Sequence, residues 1–437
     1  MRRQLSNVLY GVLDYAAYPA AMLLAAPVVL RNLGVEAYGV WAIMTAVVSA
    51  GSILAAGFGD ANIKHVSEQR GLGDRNALIA AVRALLGLNL LLAVVASASV
   101  WLLAVVASHR IVPDGSQLNF DCILSLRLAA ILIGLRAVES VCISTQRAYE
   151  RYGSAVRISV LARLFSLLTG AALTPVVHHV AIIMAVAVAF NAISTWWQFR
   201  HLRKLLGVRT LRPAFQAAAS RDLFHFGMYS WILAASSILF GQADRLVLGV
   251  WLGAAPVAGY ALCTQLTQPI YGLAAAGLHF LFPYLANRTA TQSPSDLRNA
   301  TLIAAVGNVL FVVAAAVLVQ LLGPRILTWL GRGAFQAETH QLLVPIVWST
   351  ALLGLSVTPT YALYAFNRIR LVTLCNVAGA VICLLLMVWL GRSMGAKGIA
   401  WARLSFGAVT VLLYLPLLQL LRKPNSGRIN AVLCEEA

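Results

Sequence analysis

Long apolar runs alternate with short polar breaks along the whole chain, and the breaks are mostly basic. Twelve such runs fall at 8–31, 38–62, 77–107, 120–146, 155–176, 179–199, 223–250, 256–286, 299–323, 341–366, 370–391 and 396–421. Each is long enough to cross the hydrocarbon core of a bilayer, which takes about 20 helical residues. Apolarity is continuous rather than alternating with period two, which predicts helices and excludes an outer-membrane barrel. The pattern therefore predicts an all-α polytopic membrane protein with about twelve transmembrane helices. The longest internal break begins Arg200-His201-Leu202-Arg203-Lys204 and divides the chain into halves. The expected layout is a six-helix bundle over 1–205, a basic linker over 206–222, a second six-helix bundle over 223–421 and a tail over 422–437. The linker is read either as a solvated topology signal or as an amphipathic segment on anionic headgroups.

Composition agrees. The chain is 60% hydrophobic and 11% charged, whereas an ordinary soluble domain carries about 25% charged residues. The formal net charge of +18 does not indicate nucleic acid, because the basic residues lie between apolar runs rather than on an amphipathic surface. With the N-terminus placed in the cytoplasm, twenty-one of the 33 Lys and Arg residues fall inside, six fall outside and six lie within the spans. The positive-inside rule then puts both termini in the cytoplasm. Arg2-Arg3 before an apolar run resembles a signal peptide, but Asp14 interrupts that run, and an uncleaved first helix is expected.

The six arginines within spans are Arg83, Arg127, Arg136, Arg163, Arg245 and Arg403. One arginine at the centre of a membrane helix costs about 2.5–3.5 kcal/mol on insertion scales. Arg83 and Arg163 lie about two turns from the inner ends of their helices and can snorkel to headgroups, and Arg403 can do so at the outer end. Arg136 sits near the middle of helix 4 and shares a face with Glu139, three residues on. It is a candidate for an anionic ligand, with a structural Arg136–Glu139 pair as the alternative. Arg127 is nine residues away, so it points to the opposite side of the helix. Asp244 and Arg245 are adjacent and point about 100° apart, each toward a neighbouring helix or a polar interior. Asp14, two turns into helix 1, is a candidate proton or cation site or a structural hydrogen-bond acceptor. The candidate substrate-binding residues are thus Arg136, Arg127 and Arg245. The coupling or structural acids are Asp14, Glu139 and Asp244. The excess of positive over negative charge within the spans points to an anionic cargo rather than a cationic drug.

Nothing in the sequence calls for a catalyst or cofactor. It contains no GxxxxGK[ST], GxSxG or HExxH. The outer loops are short, unlike those expected of a membrane glycan-assembly enzyme. Five of the six cysteines lie in apolar stretches and none forms a CxxC, so they read as packing residues. His178-His179 in an outer turn is not expected to hold a metal.

The halves show a weak internal repeat. Leu33-Gly34 precedes Ala37-Tyr38-Gly39-Val40-Trp41, and Leu252-Gly253 precedes Val257-Ala258-Gly259-Tyr260-Ala261, about 219 residues later. Both copies fall between the first and second span of their half. Six spans per half make the repeat a parallel one. Leu33 to Trp41, together with Ala55-Ala56-Gly57-Phe58-Gly59-Asp60-Ala61 and Gln242-Ala243-Asp244-Arg245-Leu246-Val247-Leu248-Gly249, resembles the Wzx-type polysaccharide and O-antigen flippases. These form the polysaccharide transport branch of the multidrug/oligosaccharidyl-lipid/polysaccharide (MOP) exporter superfamily, which also holds the MATE drug exporters and the lipid II flippases. The resemblance implies a V-shaped pair of six-helix bundles around a central cavity. It implies that undecaprenyl-pyrophosphate-linked oligosaccharide repeat units are moved across the bacterial inner membrane, with H+ or Na+ as candidate coupling ions and polysaccharide-assembly proteins and membrane lipids as partners. It makes a diphosphate or acidic sugar the ligand of Arg136. A MATE-like drug or cation antiporter is the competing function.

Overall fold

The computed structural model describes residues 2–112, 116–149, 152–214, 228, 231–232, 235–236, 241–278, 281–288, 294–331, 337–366 and 368–422. Among these, every regular element is helical. In chain order the helices are α1 (Arg2–Ala56), α2 (Gly59–Leu72), α3 (Arg75–Ile111), α4 (Gln117–Ala148), α5 (Tyr152–Leu173), α6 (Val180–Leu206), α7 (Ala243–Leu252), α8 (Ala254–Leu278), α9 (Leu281–Arg288), α10 (Pro294–Gly331), α11 (Ala337–Leu355), α12 (Val357–Ala365), α13 (Ile369–Val411) and α14 (Tyr414–Arg422).

Among the described residues, seven helical runs are long and apolar enough to cross a membrane. Two of them, of 52 and 53 residues, would measure about 80 Å at 1.5 Å per residue, far beyond one bilayer. Each is broken by a glycine of positive φ: Gly34 (φ 85, ψ 176) in α1 and Gly395 (φ 59, ψ −136) in α13. Each run therefore holds two of the predicted spans, and among the described residues the helix order is consistent with the twelve-span reading; most of predicted span 7 before residue 241 lies outside them. Several ends move outward, and two of these extensions are polar. α2 carries on from the predicted end of span 2 to Leu72, where Gly73 caps it in the left-handed conformation. α6 continues through Arg200–Lys204 to Leu206, capped by left-handed Gly207. Both extensions are polar, so apolar length alone does not reveal them; the glycine after each marks the true stop.

The repeat has a backbone counterpart. Gly253, between α7 and α8, has φ 81 and ψ −175, nearly the values at Gly34. This region is open essentially to glycine alone. The two Leu-Gly pairs thus make the same sharp helix-to-helix junction at the two copies of the repeat. A Cβ on Gly34 would meet nothing within 4 Å, so its replacement tests backbone strain without a clash. Gly34→Ala is expected to lower stability by about 1–3 kcal/mol. Gly71→Ala, on α2 in open space, should be neutral or slightly stabilising. Thermal unfolding midpoints of the two variants in one detergent give the comparison.

The chain forms two compact units, Met1–Gln265 with Arg325–His340, and Leu266–Pro324 with Gln341–Ala437. In the first, α4 packs on α1, α3 and α6, and α1 also packs on α5 and α7. Its apolar core at the basic end of the helices joins Leu78, Val82, Leu85, Val141, Leu202 and Leu211. In the second, α12 packs on α9, α13 and α14 around Leu285, Leu363, Val372 and Leu413. Lipid is as apolar as leucine, so helices in a membrane are joined by close van der Waals approach and by interhelical hydrogen bonds. The first unit uses both. Tyr38 and Trp41, among the largest fully buried side chains, meet edge to face at 5.4 Å. The Tyr38 hydroxyl donates to Gln265 Oε1 at 3.2 Å.

Candidate functional site

α4 carries the chemistry of the first unit. It runs unbroken from Gln117 to Ala148, so the nine residues between Arg127 and Arg136 leave them on opposite sides. Each meets a different setting. The Arg127 guanidinium lies over the Trp101 ring of α3, 5.3 Å from its centroid. Its Nε is shielded from solvent and has no hydrogen-bond partner among the described residues. A cation–π contact of this kind is worth about 0.5–1 kcal/mol at an exposed site and more when desolvated. Arg136 is half-buried, one turn before Glu139.

Glu139 is 5% exposed. Its Oε1 accepts from Ser194 Oγ at 2.9 Å and from Gln198 Nε2 at 2.8 Å. Gln146, two turns further along α4, donates to Gln198 Oε1 at 3.5 Å. Glu139 and Gln146 are seven apart on α4, and Ser194 and Gln198 four apart on α6, so each pair projects from one helix face. Together they zip α4 to α6. On another side of α4, the buried Asn62 amide of α2 donates to Ser144 Oγ at 2.8 Å and Thr145 Oγ1 at 3.0 Å.

Asp244 is fully buried at the start of α7. It accepts from the Tyr260 hydroxyl at 2.9 Å and from the Arg245 backbone N–H at 2.8 Å. Arg245 turns toward the same helix, α8, and donates from Nη2 to Thr264 Oγ1 at 2.6 Å. Its Nε is buried without a hydrogen-bond partner among the described residues. Acid and base thus both bind α8, one turn apart. The Asp14 side chain lies outside the described residues.

The other intramembrane arginines differ among themselves. Arg163 folds back one turn, donating to Ser159 Oγ at 2.8 Å, the direction expected of a snorkelling side chain. Arg403 is not snorkelled outward. It is 5% exposed, and its Nε donates to Ser349 Oγ at 3.4 Å. Depth along a helix is readable from sequence, but facing is not, and Arg403 faces α11. One buried acid escaped the sequence reading. Asp121, 5% exposed, accepts from the Val180 N–H at 3.1 Å and lies 3.0 Å from His179 Nδ1. It stands at the start of a predicted span, where an acid reads as loop.

These buried polar contacts hold helices together and leave the Nε atoms of Arg127 and Arg245 without a hydrogen-bond partner among the described residues. The pattern of the family described as "Polysaccharide biosynthesis protein" matches residues 28–332. The chain belongs to the polysaccharide biosynthesis protein family. A similar protein, described as the uncharacterized membrane protein EpsK of Bacillus subtilis (strain 168), is 24% identical over 407 residues, covering 89% of this chain and 76% of that one. The fold is similar to that of the lipid II flippase MurJ in an inward closed conformation, with TM-score 0.75 at 13% identity over 94% of this chain and 87% of that one. It is also similar to an inward-facing multidrug resistance MATE family transporter of the MOP superfamily, with TM-score 0.65 at 14% identity over 98% of this chain and all of the other. This member of the polysaccharide biosynthesis family is a multi-pass membrane protein with the fold of the MOP-superfamily transporters.

Proposed function

We propose that the protein is a flippase that moves undecaprenyl-pyrophosphate-linked oligosaccharide repeat units across the bacterial inner membrane for surface polysaccharide assembly, with both termini cytoplasmic. The observation that carries this is the pairing of a polysaccharide-biosynthesis family with a transporter fold. Glycan and diphosphate would cross through the protein while the polyprenyl tail stays in lipid. Arg136 would meet the diphosphate or an acidic sugar, because a guanidinium presents a planar fork of donors to such oxygens. Arg127 and Arg245 would contribute charge at other levels, since each has an Nε without a protein partner among the described residues. Asp14, Glu139 and Asp244 are the candidate acids for coupling to H+ or Na+, and the last two also hold helix contacts.

The test is genetic. Cells lacking the gene are expected to accumulate undecaprenyl-linked repeat units on the cytoplasmic leaflet. Normal surface glycan combined with new drug sensitivity would sink the proposal in favour of a cation antiporter.

A further inference from the structure

We propose that a pocket between the first three turns of α3 and the segment 207–214 binds the phosphate of a membrane-lipid headgroup. The pocket has a volume of about 380 Å³ and is lined by Asn76, Ile79, Ala80, Arg83, Thr210 and Ala214, with Val208 at its side. That volume falls within the range of small-ligand sites, about 300–1,000 Å³. A guanidinium and an amide from α3 and a hydroxyl from the facing segment are set among aliphatic side chains from both. A phosphate joined to a glycerol or prenyl chain carries both polar and apolar surface.

Arg83 is the anchor. It is half-buried, and its Nε is shielded from solvent with no hydrogen-bond partner among the described residues. A shielded, unmade hydrogen bond on a charged group is costly, and a phosphate oxygen would satisfy it. The site is built on rigid backbone. Arg75 Nη2 donates to the carbonyls of Leu206 at 2.9 Å and Gly207 at 3.2 Å. Leu211, 6% exposed, enters the core beside Leu78 and Val82. The Ala214 N–H donates to the Arg83 carbonyl at 3.1 Å. Three attachments thus strap the segment along α3.

The surroundings favour an anion. Arg209 and Arg212 are exposed on the strap. The N-terminal end of α3 adds the positive end of its dipole. The nearest acid in sequence, Asp74, caps α3 by accepting from the Ala77 N–H at 2.9 Å. The pocket also sits where the polar start of α3, Asp74-Arg75-Asn76, gives way to its apolar run, the depth of headgroups. The occupant is either an anionic phospholipid or the diphosphate of a lipid-linked cargo. Only the second identity rests on the flippase reading.

The experiment uses the full-length protein in detergent, titrated with short-chain phosphatidylglycerol and, separately, with farnesyl diphosphate, with bound lipid counted by native mass spectrometry. Arg83→Gln should weaken binding of the true occupant about tenfold, the equivalent of one charge-assisted hydrogen bond. Ala80→Trp, which fills the pocket and keeps the charge, should do the same. Arg83→Lys should retain most of the binding, and Arg163→Gln should match wild type. Farnesyl diphosphate displacing phosphatidylglycerol would make the cargo headgroup the occupant; no displacement would make it a resident phospholipid. Equal binding of both lipids by wild type, Arg83→Gln and Ala80→Trp would overturn the site. Because this readout is independent of glycan export, a failure here leaves the flippase proposal standing, and the reverse also holds.

Discussion

Gly39→Leu is expected to leave almost no correctly folded protein. Gly39 sits one turn after the Gly34 junction. A Cβ built on it would fall on the backbone carbonyl of Ala254, at the start of α8. A side chain in the way can rotate; a carbonyl held in a helix cannot. The helices would have to separate, and in lipid their attraction depends on close approach. Overpacking of this kind costs about 3 kcal/mol or more, at the severe end for single substitutions. Gly277→Leu is the control, because a Cβ there meets nothing within 4 Å. Size-exclusion profiles of the two variants at equal expression should show collapse for the first and a wild-type peak for the second. A monodisperse, thermally normal Gly39→Leu protein would show that α1 and α8 are not in contact at this point.

Glu139 should show the second large effect. Its carboxylate accepts from both Ser194 and Gln198. Glu139→Ala leaves a buried hydroxyl and a buried amide without their acceptor, a loss on the order of 3 kcal/mol. Glu139→Gln keeps a carbonyl oxygen in the same place and should lose less than half as much. Thermal unfolding separates the two. Transport separates a structural role from a coupling role: if Glu139→Gln folds and transports at the wild-type rate, Glu139 leaves the list of coupling acids.

Much of this architecture was legible in the sequence, for a physical reason. A bilayer imposes a minimum length on apolar helices, so run length reads directly as span count. The Gly34 and Gly253 junctions were legible too, as a repeated Leu-Gly pair, because their backbone conformation admits little else. Other features were hidden. The helical extensions to Leu72 and Leu206 are polar and gave no apolar signal. Gln146 and Gln198 carry no charge, so they did not stand out as the links between Glu139 and its neighbours. Leu211 is a lone leucine among Arg209, Thr210, Arg212 and Pro213, yet it pins the strap that forms the Arg83 pocket. For Arg127, Arg245 and Arg403, sequence gave depth within a span but not the partner: Trp101, Thr264 and Ser349 come from other helices.

The most direct test is headgroup accessibility in proteoliposomes that hold a fluorescent polyprenyl-diphosphate oligosaccharide. Wild-type protein should carry the labelled glycan between leaflets well above the rate in protein-free vesicles, and Arg136→Gln should slow it about tenfold, the loss of one charge-assisted contact. Glycan movement no faster than in empty vesicles, with gradient-driven movement of a cationic dye in the same preparation, would contradict an anionic lipid-linked cargo.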